Sequence, residues 1–164
     1  MQKQYVKADG NCLFNCATLA LQNTVESPQE TREILASIML SDPETFSAAE
    51  LGKEPQKYVE WLCSGNSAWG GIPELKALSM YFQTEFAVVV ISDLDVLVFG
   101  AGQGYQKRVY VLYDGTHYNL AISKESKTFH PSDDRAYQGC LDLAEECNKK
   151  GEACDPSVFS LVCF

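Results

Sequence analysis

Two short stretches of the chain carry side chains that together can break an acyl bond. The first runs Asp9-Gly10-Asn11-Cys12-Leu13-Phe14, a turn-forming Asp-Gly pair followed by a cysteine and then an apolar run. The second is Tyr113-Asp114-Gly115-Thr116-His117-Tyr118-Asn119, another Asp-Gly turn with one of the chain's two histidines just beyond it. From Asn11 onward, Leu13, Cys16, Ala17, Ala20 and Leu21 recur at the spacing of a helix with one buried stripe, which puts Cys12 in its first turn. There the unpaired backbone N–H groups and the positive end of the helix dipole favour a thiolate. The turn ahead of the cysteine can aim further N–H groups at a developing oxyanion.

A thiol nucleophile needs a base. His130, in Phe129-His130-Pro131-Ser132-Asp133, lies just ahead of a helix start and reads as a solvated loop residue. His117 opens a strand, and Asn119, two residues on, shares its face because strand side chains alternate. An amide oxygen in that place can hold the imidazole in one tautomer, as the Asn of a Cys-His-Asn arrangement does. Asp9 is a second candidate for orienting the histidine, although its position ahead of Cys12 suits it better to bracing the turn through the backbone. A cysteine taken alone is far more often a small core residue than a nucleophile. Jointly, Cys12, His117 and Asn119 are the parts of a papain-type cysteine hydrolase, a chemistry that calls for no metal and no other cofactor.

The rest of the chain has to position these groups. Ser27-Pro28-Gln29-Glu30 predicts a helix with Ser27 as N-cap, Pro28 in the first helical position and Glu30 closing a capping box; Ile34, Leu35, Ile38 and Met39 follow on one face. Asp42-Pro43-Glu44 predicts a further helix start. Residues 58–63 read as helical, 64–71 as a flexible loop, and 72–82 as a helix with Pro73 in its first turn. Short β-branched runs at 86–92, 96–99, 108–113 and 117–122 predict a buried sheet, with a turn at Asp114-Gly115. A last helix from about Asp133 to Lys150, stopped by Gly151, precedes a closing strand at Phe159-Ser160-Leu161-Val162-Cys163. Helices first, strands in the middle and a helix last predict one α+β domain over 1–164, a three-layer α/β sandwich with a small central sheet flanked by helices.

Composition narrows the function classes. With 46% apolar and 21% charged residues in 164, the chain has the make-up of an ordinary globule and contains no apolar run of membrane-spanning length, so no membrane insertion is expected. The N-terminus lacks the apolar core of a secretory signal, and seven cysteines without paired spacing suit reduced thiols; both point to the cytoplasm, with the nucleus as the other reduced compartment. A net charge of −9 disfavours nucleic acid and favours a basic protein partner, met by a monomer. Cys140, Cys147 and Cys154 recur every seven residues, the one hint of a metal site. Zinc sites use closer pairs, however, and Gly151 ends the helix before Cys154.

Three ordered stretches, 9–14, 69–79 (Trp69-Gly70-Gly71-Ile72-Pro73-Glu74-Leu75-Lys76-Ala77-Leu78-Ser79) and 113–119, resemble the ovarian-tumour (OTU) domain deubiquitinases. Within that family they are most similar to the branch that works beside the AAA ATPase of endoplasmic-reticulum-associated degradation. The resemblance runs over almost the whole chain. It implies a papain-like fold of OTU type and an isopeptidase that cuts ubiquitin from lysine side chains, with ubiquitin and polyubiquitin as partners. It further implies Cys12 as nucleophile, His117 as general base and acid, Asp9 as the acidic residue of the cysteine loop, and Asn119 as the group that orients the histidine, where near relatives carry Asp. Gly10 and Asn11 would belong to the substrate-facing cysteine loop. Trp69, Gly70, Gly71 and Thr116 would line a channel for the ubiquitin tail, while Asp134 and Tyr137, at the start of the last helix, would hold a second ubiquitin. That branch also carries an N-terminal ubiquitin-like domain and a C-terminal zinc finger, neither of which fits within these residues. The alternative is a ubiquitin-binding module without chemistry, against which the intact Cys12, His117 and Asn119 count.

Overall fold

The computed structural model describes residues 1–25 and 27–152. Its elements are β1 (Gln2–Gln4), α1 (Cys12–Gln22), α2 (Pro28–Ser41), α3 (Ala48–Leu51), α4 (Pro55–Leu62), α5 (Ile72–Phe82), β2 (Glu85–Val90), β3 (Asp95–Phe99), β4 (Arg108–Tyr113), β5 (Tyr118–Ile122) and α6 (Asp134–Lys149). The strands form one sheet in the order β1-β5-β4-β2-β3, in which only the central β2/β4 pair is parallel. Every residue of β2 is buried, which explains its unbroken apolar run: a central strand covered on both faces has no polar side to show. The Arg108–Glu85 ion pair, 2.6 Å at its shortest, joins the two residues that face each other at the start of β4 and β2 and so helps fix their register.

The strand period of two sorts the sheet into two cores. Phe86, Val88, Val90, Val109, Val111, Tyr113, Tyr118 and Leu120 pack with α1, α2, α4 and α5; Ala87, Val89, Ile91, Tyr110, Leu112 and Ala121 pack with Ala136, Cys140, Ala144 and Cys147 of α6. The result is the expected three-layer α+β sandwich. Cys140 and Cys147 are apolar core residues of the α6 layer, and among the described residues no group of three His, Cys, Asp or Glu is placed to hold a metal ion. Cys154 and the closing strand expected at 159–163 lie outside the described residues.

Two local expectations are corrected. Ser27 does not cap α2: its backbone is left-handed (φ 62°) and its side chain makes no capping bond, so no capping box forms, although Pro28 does open the helix. Asp42 starts a single turn instead of a helix, its carboxylate accepting from the Thr45 N–H at 3.2 Å and its carbonyl from the Phe46 N–H at 3.0 Å. The next helix begins only after Ser47, whose hydroxyl accepts from the Glu50 N–H at 3.3 Å. β1, written Gln2-Lys3-Gln4, carries no apolar alternation and pairs along β5 through its backbone alone.

Candidate active site

Cys12 opens α1, and Asn11 ahead of it (φ −110°, ψ 10°) provides no side-chain cap. The first N–H groups of the helix are therefore left without carbonyl partners. The backbone N–H groups of Tyr118, Leu13 and Cys12 itself lie near enough to the thiol to favour its ionised form. They come from two elements, so the start of α1 and the start of β5 meet at one sulfur atom. Asp9 Oδ1 accepts from the Asn11 N–H at 3.0 Å, which braces the turn and occupies that N–H. Gly10 sits at φ 82°, and a Cβ on it would stand 1.9 Å from the Asn66 carbonyl oxygen, so only glycine lets the 64–71 loop close on the cysteine turn.

The β4–β5 hairpin delivers His117 to the site. Asp114 Oδ1 accepts from the N–H groups of Thr116 (2.9 Å) and His117 (2.8 Å), an Asx-type turn that presents the histidine immediately ahead of β5. His117 Nε2 lies 3.2 Å from Asn119 Oδ1. The same oxygen accepts from the Val6 N–H at 2.8 Å. A backbone N–H can only donate, so the Asn119 atom at this point is its carbonyl oxygen, and Nε2 must carry the ring proton. Nδ1 is then the basic nitrogen. Asn119 is buried, and its amide fixes both the tautomer and the orientation of the ring.

Ala8, Gly10, Cys12, Trp69, Thr116 and His117 line a single cleft of about 120 Å³. Trp69 is 47% exposed, enough to present a face to a bound chain while serving as cleft wall. It also lines a second, larger pocket of about 370 Å³, shared with Leu51, Tyr58, Trp61, Ile72 and Pro73. Beside that pocket the buried Glu74 carboxyl accepts from the Gly71 N–H at 2.8 Å and from the Tyr58 hydroxyl at 2.5 Å; burial pushes its pKa up against these donors.

Burial likewise pushes the Cys12 thiol up. The three N–H groups pull it down and the Asp9 carboxylate adds to the rise, with the upward effects prevailing. Burial thus works against the thiolate that the helix start alone would favour. Cys16, one turn on and fully enclosed, is pushed up further with no such donors, and its Sγ donates to the Tyr118 carbonyl at 3.6 Å.

Of the residues singled out in the sequence, Gly10, Cys12, Trp69, Thr116 and His117 share the cleft, with Asn119 and Asp9 directly behind it. Asn11 faces inward, donating from Nδ2 to Asn66 Oδ1 at 3.0 Å. Gly70 lies against Leu13, and Gly71 lines the larger pocket. Asp134 and Tyr137 are not brought to the cleft. They begin α6, on the other face of the sheet, where Phe129 bridges Arg108 at the start of β4; His117 follows the far end of that strand, about 17 Å along it. Arg32 went unnoticed in the sequence. It is fully buried beneath the cysteine turn, and the signal for it was positional: with Leu35, Ala36 and Met39 it falls on the buried stripe of α2.

The description of an OTU-like cysteine protease matches residues 7–121, a span that begins just before the cysteine turn and ends within β5. The chain belongs to the OTU-like cysteine protease family. It is 34% identical over 174 residues to the ubiquitin thioesterase OTU1 of Gallus gallus, covering all of this chain and 57% of that protein. Against the ubiquitin thioesterase OTU1 of Homo sapiens the identity is 32% over 174 residues, covering all of this chain and 50% of that protein. The chain thus spans about half the length of the curated relatives it matches. Among solved structures, an ovarian tumour (OTU) domain in complex with ubiquitin superposes with a TM-score of 0.86 at 24% identity, covering 93% of this chain and 90% of that one. An OTU deubiquitinase from Wolbachia pipientis bound to ubiquitin gives 0.60 at 14% identity, covering 76% and 96%. These likenesses show the OTU fold, and the three stretches that suggested the family in the sequence form the cysteine turn, the Trp69 wall with α5, and the histidine hairpin.

Proposed function

We propose that this chain is a thiol-dependent deubiquitinase that hydrolyses ubiquitin–lysine isopeptide bonds, with Cys12 as nucleophile and His117 as its base. The observation that carries the reading is the single cleft that holds both the Cys12 thiol and an imidazole whose Nε2–H is held by Asn119. His117 Nδ1 takes the thiol proton as sulfur attacks the isopeptide carbonyl, and the developing oxyanion is met by the N–H of Cys12 and the cysteine turn. The imidazolium then gives its proton to the departing lysine amine, leaving a thioester on Cys12. Water, activated by the same nitrogen, hydrolyses the thioester and releases the ubiquitin carboxylate and the free thiol.

Ubiquitin as substrate is supported by the names of the relatives and by the size of the cleft, since about 120 Å³ suits the two glycines of a ubiquitin tail and excludes bulky side chains. The net charge of −9 favours encounter with ubiquitin's basic face at low salt. Polyubiquitin is the preferred substrate in this reading, with Asp134 and Tyr137 on the second-ubiquitin surface. The deciding experiment exposes the protein to ubiquitin carrying a C-terminal electrophile. One covalent adduct, mapped to Cys12 by mass spectrometry and lost in Cys12→Ala, is expected. Binding without an adduct would make the chain a silent ubiquitin-binding module.

A further inference from the structure

Arg32 is an unusual tenant of a protein core. Its side chain is 0% exposed, and its five N–H donors are all engaged, on four oxygens. Nε and Nη2 donate to Asn11 Oδ1 at 3.2 and 2.9 Å, and Nη2 also to the Gly10 carbonyl at 3.0 Å. Nη1 donates to the carbonyls of Leu62 at 2.9 Å and Ala68 at 2.6 Å. Its plane lies over the Phe14 ring at 4.3 Å. Among the described residues no carboxylate forms an ion pair with it. Burying a charge is costly without compensation, and here only uncharged oxygens and an aromatic face supply it directly.

The choice of oxygens is informative. Gly10 and Asn11 are the two residues ahead of Cys12, Ala68 immediately precedes Trp69, and Leu62 ends the helix that leads into the 64–71 loop. One rigid planar fork therefore ties together the turn that presents the thiol and the loop that supplies the opposite wall of the cleft. A lysine, with three donors around a point charge, cannot span four acceptors in this plane.

We propose that Arg32 is a positioning residue for the reaction, a buried cation that holds the cysteine turn and the Trp69 wall in register. This rests on the reading of Cys12 as nucleophile. Arg32 touches no substrate, so its loss should lower kcat and leave KM nearly unchanged, because small misplacements of reacting groups cost rate.

The test compares Arg32→Lys, which keeps the charge and loses the fork, with Arg32→Met, which loses both. Hydrolysis of ubiquitin joined to a fluorophore is followed at a temperature where circular dichroism shows each variant fully folded. For Arg32→Lys, kcat should fall about 100-fold with KM within about threefold, and the pH midpoint for alkylation of Cys12 by iodoacetamide should stay in place. For Arg32→Met, which loses the fork and the charge, kcat should fall at least as far. A folded Arg32→Lys protein with unchanged kcat would overturn the proposal, as would a loss that merely tracks the unfolded fraction. If neither variant folds, Asn11→Ala removes the acceptor of two guanidinium bonds: a fall of about tenfold in kcat at constant KM supports the role, and unchanged kcat overturns it. Cys12→Ala, assayed alongside, separates the failures, because its activity would overturn the nucleophile assignment itself, whereas an inactive Cys12→Ala with a fully active Arg32→Lys overturns only this inference.

Discussion

The two faces of the sheet bury similar apolar strands and differ in what lies over them. On the α6 face the cover is small and apolar, with Ala136, Cys140, Ala144 and Cys147 packed on alternate strand residues. On the α1 face the same kind of core is threaded by Asn11, Asn15, Thr18, Arg32 and Glu74, all buried. Each face holds cysteines on a helix, yet their settings are unlike. Cys140 lies in mid-helix, where burial pushes its thiol up to about 12 against only the charge of the N-terminal amine, while Cys12 lies at a helix start where nearby backbone N–H groups oppose its burial. A thiol becomes chemically useful here through the polar groups brought to it and not through exposure. One layer therefore carries the proposed reaction and the other chiefly holds the sheet.

The sharpest way to break that contrast is to remove one thiol from each face. Cys12→Ala should abolish hydrolysis of fluorogenic ubiquitin by at least about 10⁴-fold while ubiquitin binding, measured by titration calorimetry, persists. Cys140→Ala should leave kcat unchanged and lower stability by about 1 kcal/mol in urea unfolding. Activity surviving the first substitution, or lost with the second in a folded protein, would erase the distinction between the layers.

Next in size are the histidine and its partner. His117→Ala should cost about 10²- to 10⁴-fold in kcat by removing proton transfer. Asn119→Ala should cost about tenfold, since ring and tautomer are loosened and not lost, and it should also shave about 1 kcal/mol of stability because the Val6 N–H loses its acceptor. Equal losses at the two sites would assign Asn119 a larger part than orientation.

A pH experiment sharpens the comparison within the α1 face. With Cys12 held up by burial, its alkylation in the free protein should show a midpoint above the ordinary thiol value of about 8.5. A midpoint below about 7 would reveal a preformed thiolate–imidazolium pair. Cys16 and Cys140 are raised as well, and a raised thiol favours folding below its unfolded pKa and loses that contribution as pH rises through its folded value. Stability to urea should accordingly decline above about pH 9. The smallest effect is expected at the start of α6, where replacing Asp134 and Tyr137 with alanine should slow cleavage of ubiquitin chains a few-fold and leave the fluorogenic substrate untouched. If both substrates slowed together, this layer would be acting on the catalytic centre after all.

The two stretches that meet at the candidate site were legible in the sequence because their signals are local. A turn before an apolar helical stripe and an Asp-Gly hairpin before an alternating strand are each written within seven residues. The order of helices and strands was legible for the same reason, as period and punctuation alone define α1, α5 and the four apolar strands. What escaped depends on partners distant in the chain. β1 is polar and exists because β5 offers it an edge; Ser27 adopts a left-handed backbone that its residue type does not announce; Asp42 has the chemistry of a cap and yields only one turn. Arg32 reads as a charge for solvent until its acceptors arrive from residues 10, 11, 62 and 68. The burial that works against the Cys12 thiolate has the same origin, since desolvation by the folded surroundings is not written in the first turn of a helix.

Both of the chain's tryptophans, Trp61 and Trp69, line the larger pocket, and Trp69 is also a wall of the cleft at Cys12. The molecule consequently carries its own optical probe. Trp61, set edge-on to Tyr58 and beneath the Lys53 ammonium, is placed to emit as a steady background, whereas the half-exposed indole of Trp69 stands in the cleft wall, where in the proposed reading a substrate would displace its water. Replacing Trp61 with phenylalanine would leave a single fluorophore at the cleft. Stopped-flow emission could then time the arrival of an unlabelled ubiquitin tail separately from the chemistry that follows, with no dye attached to either protein.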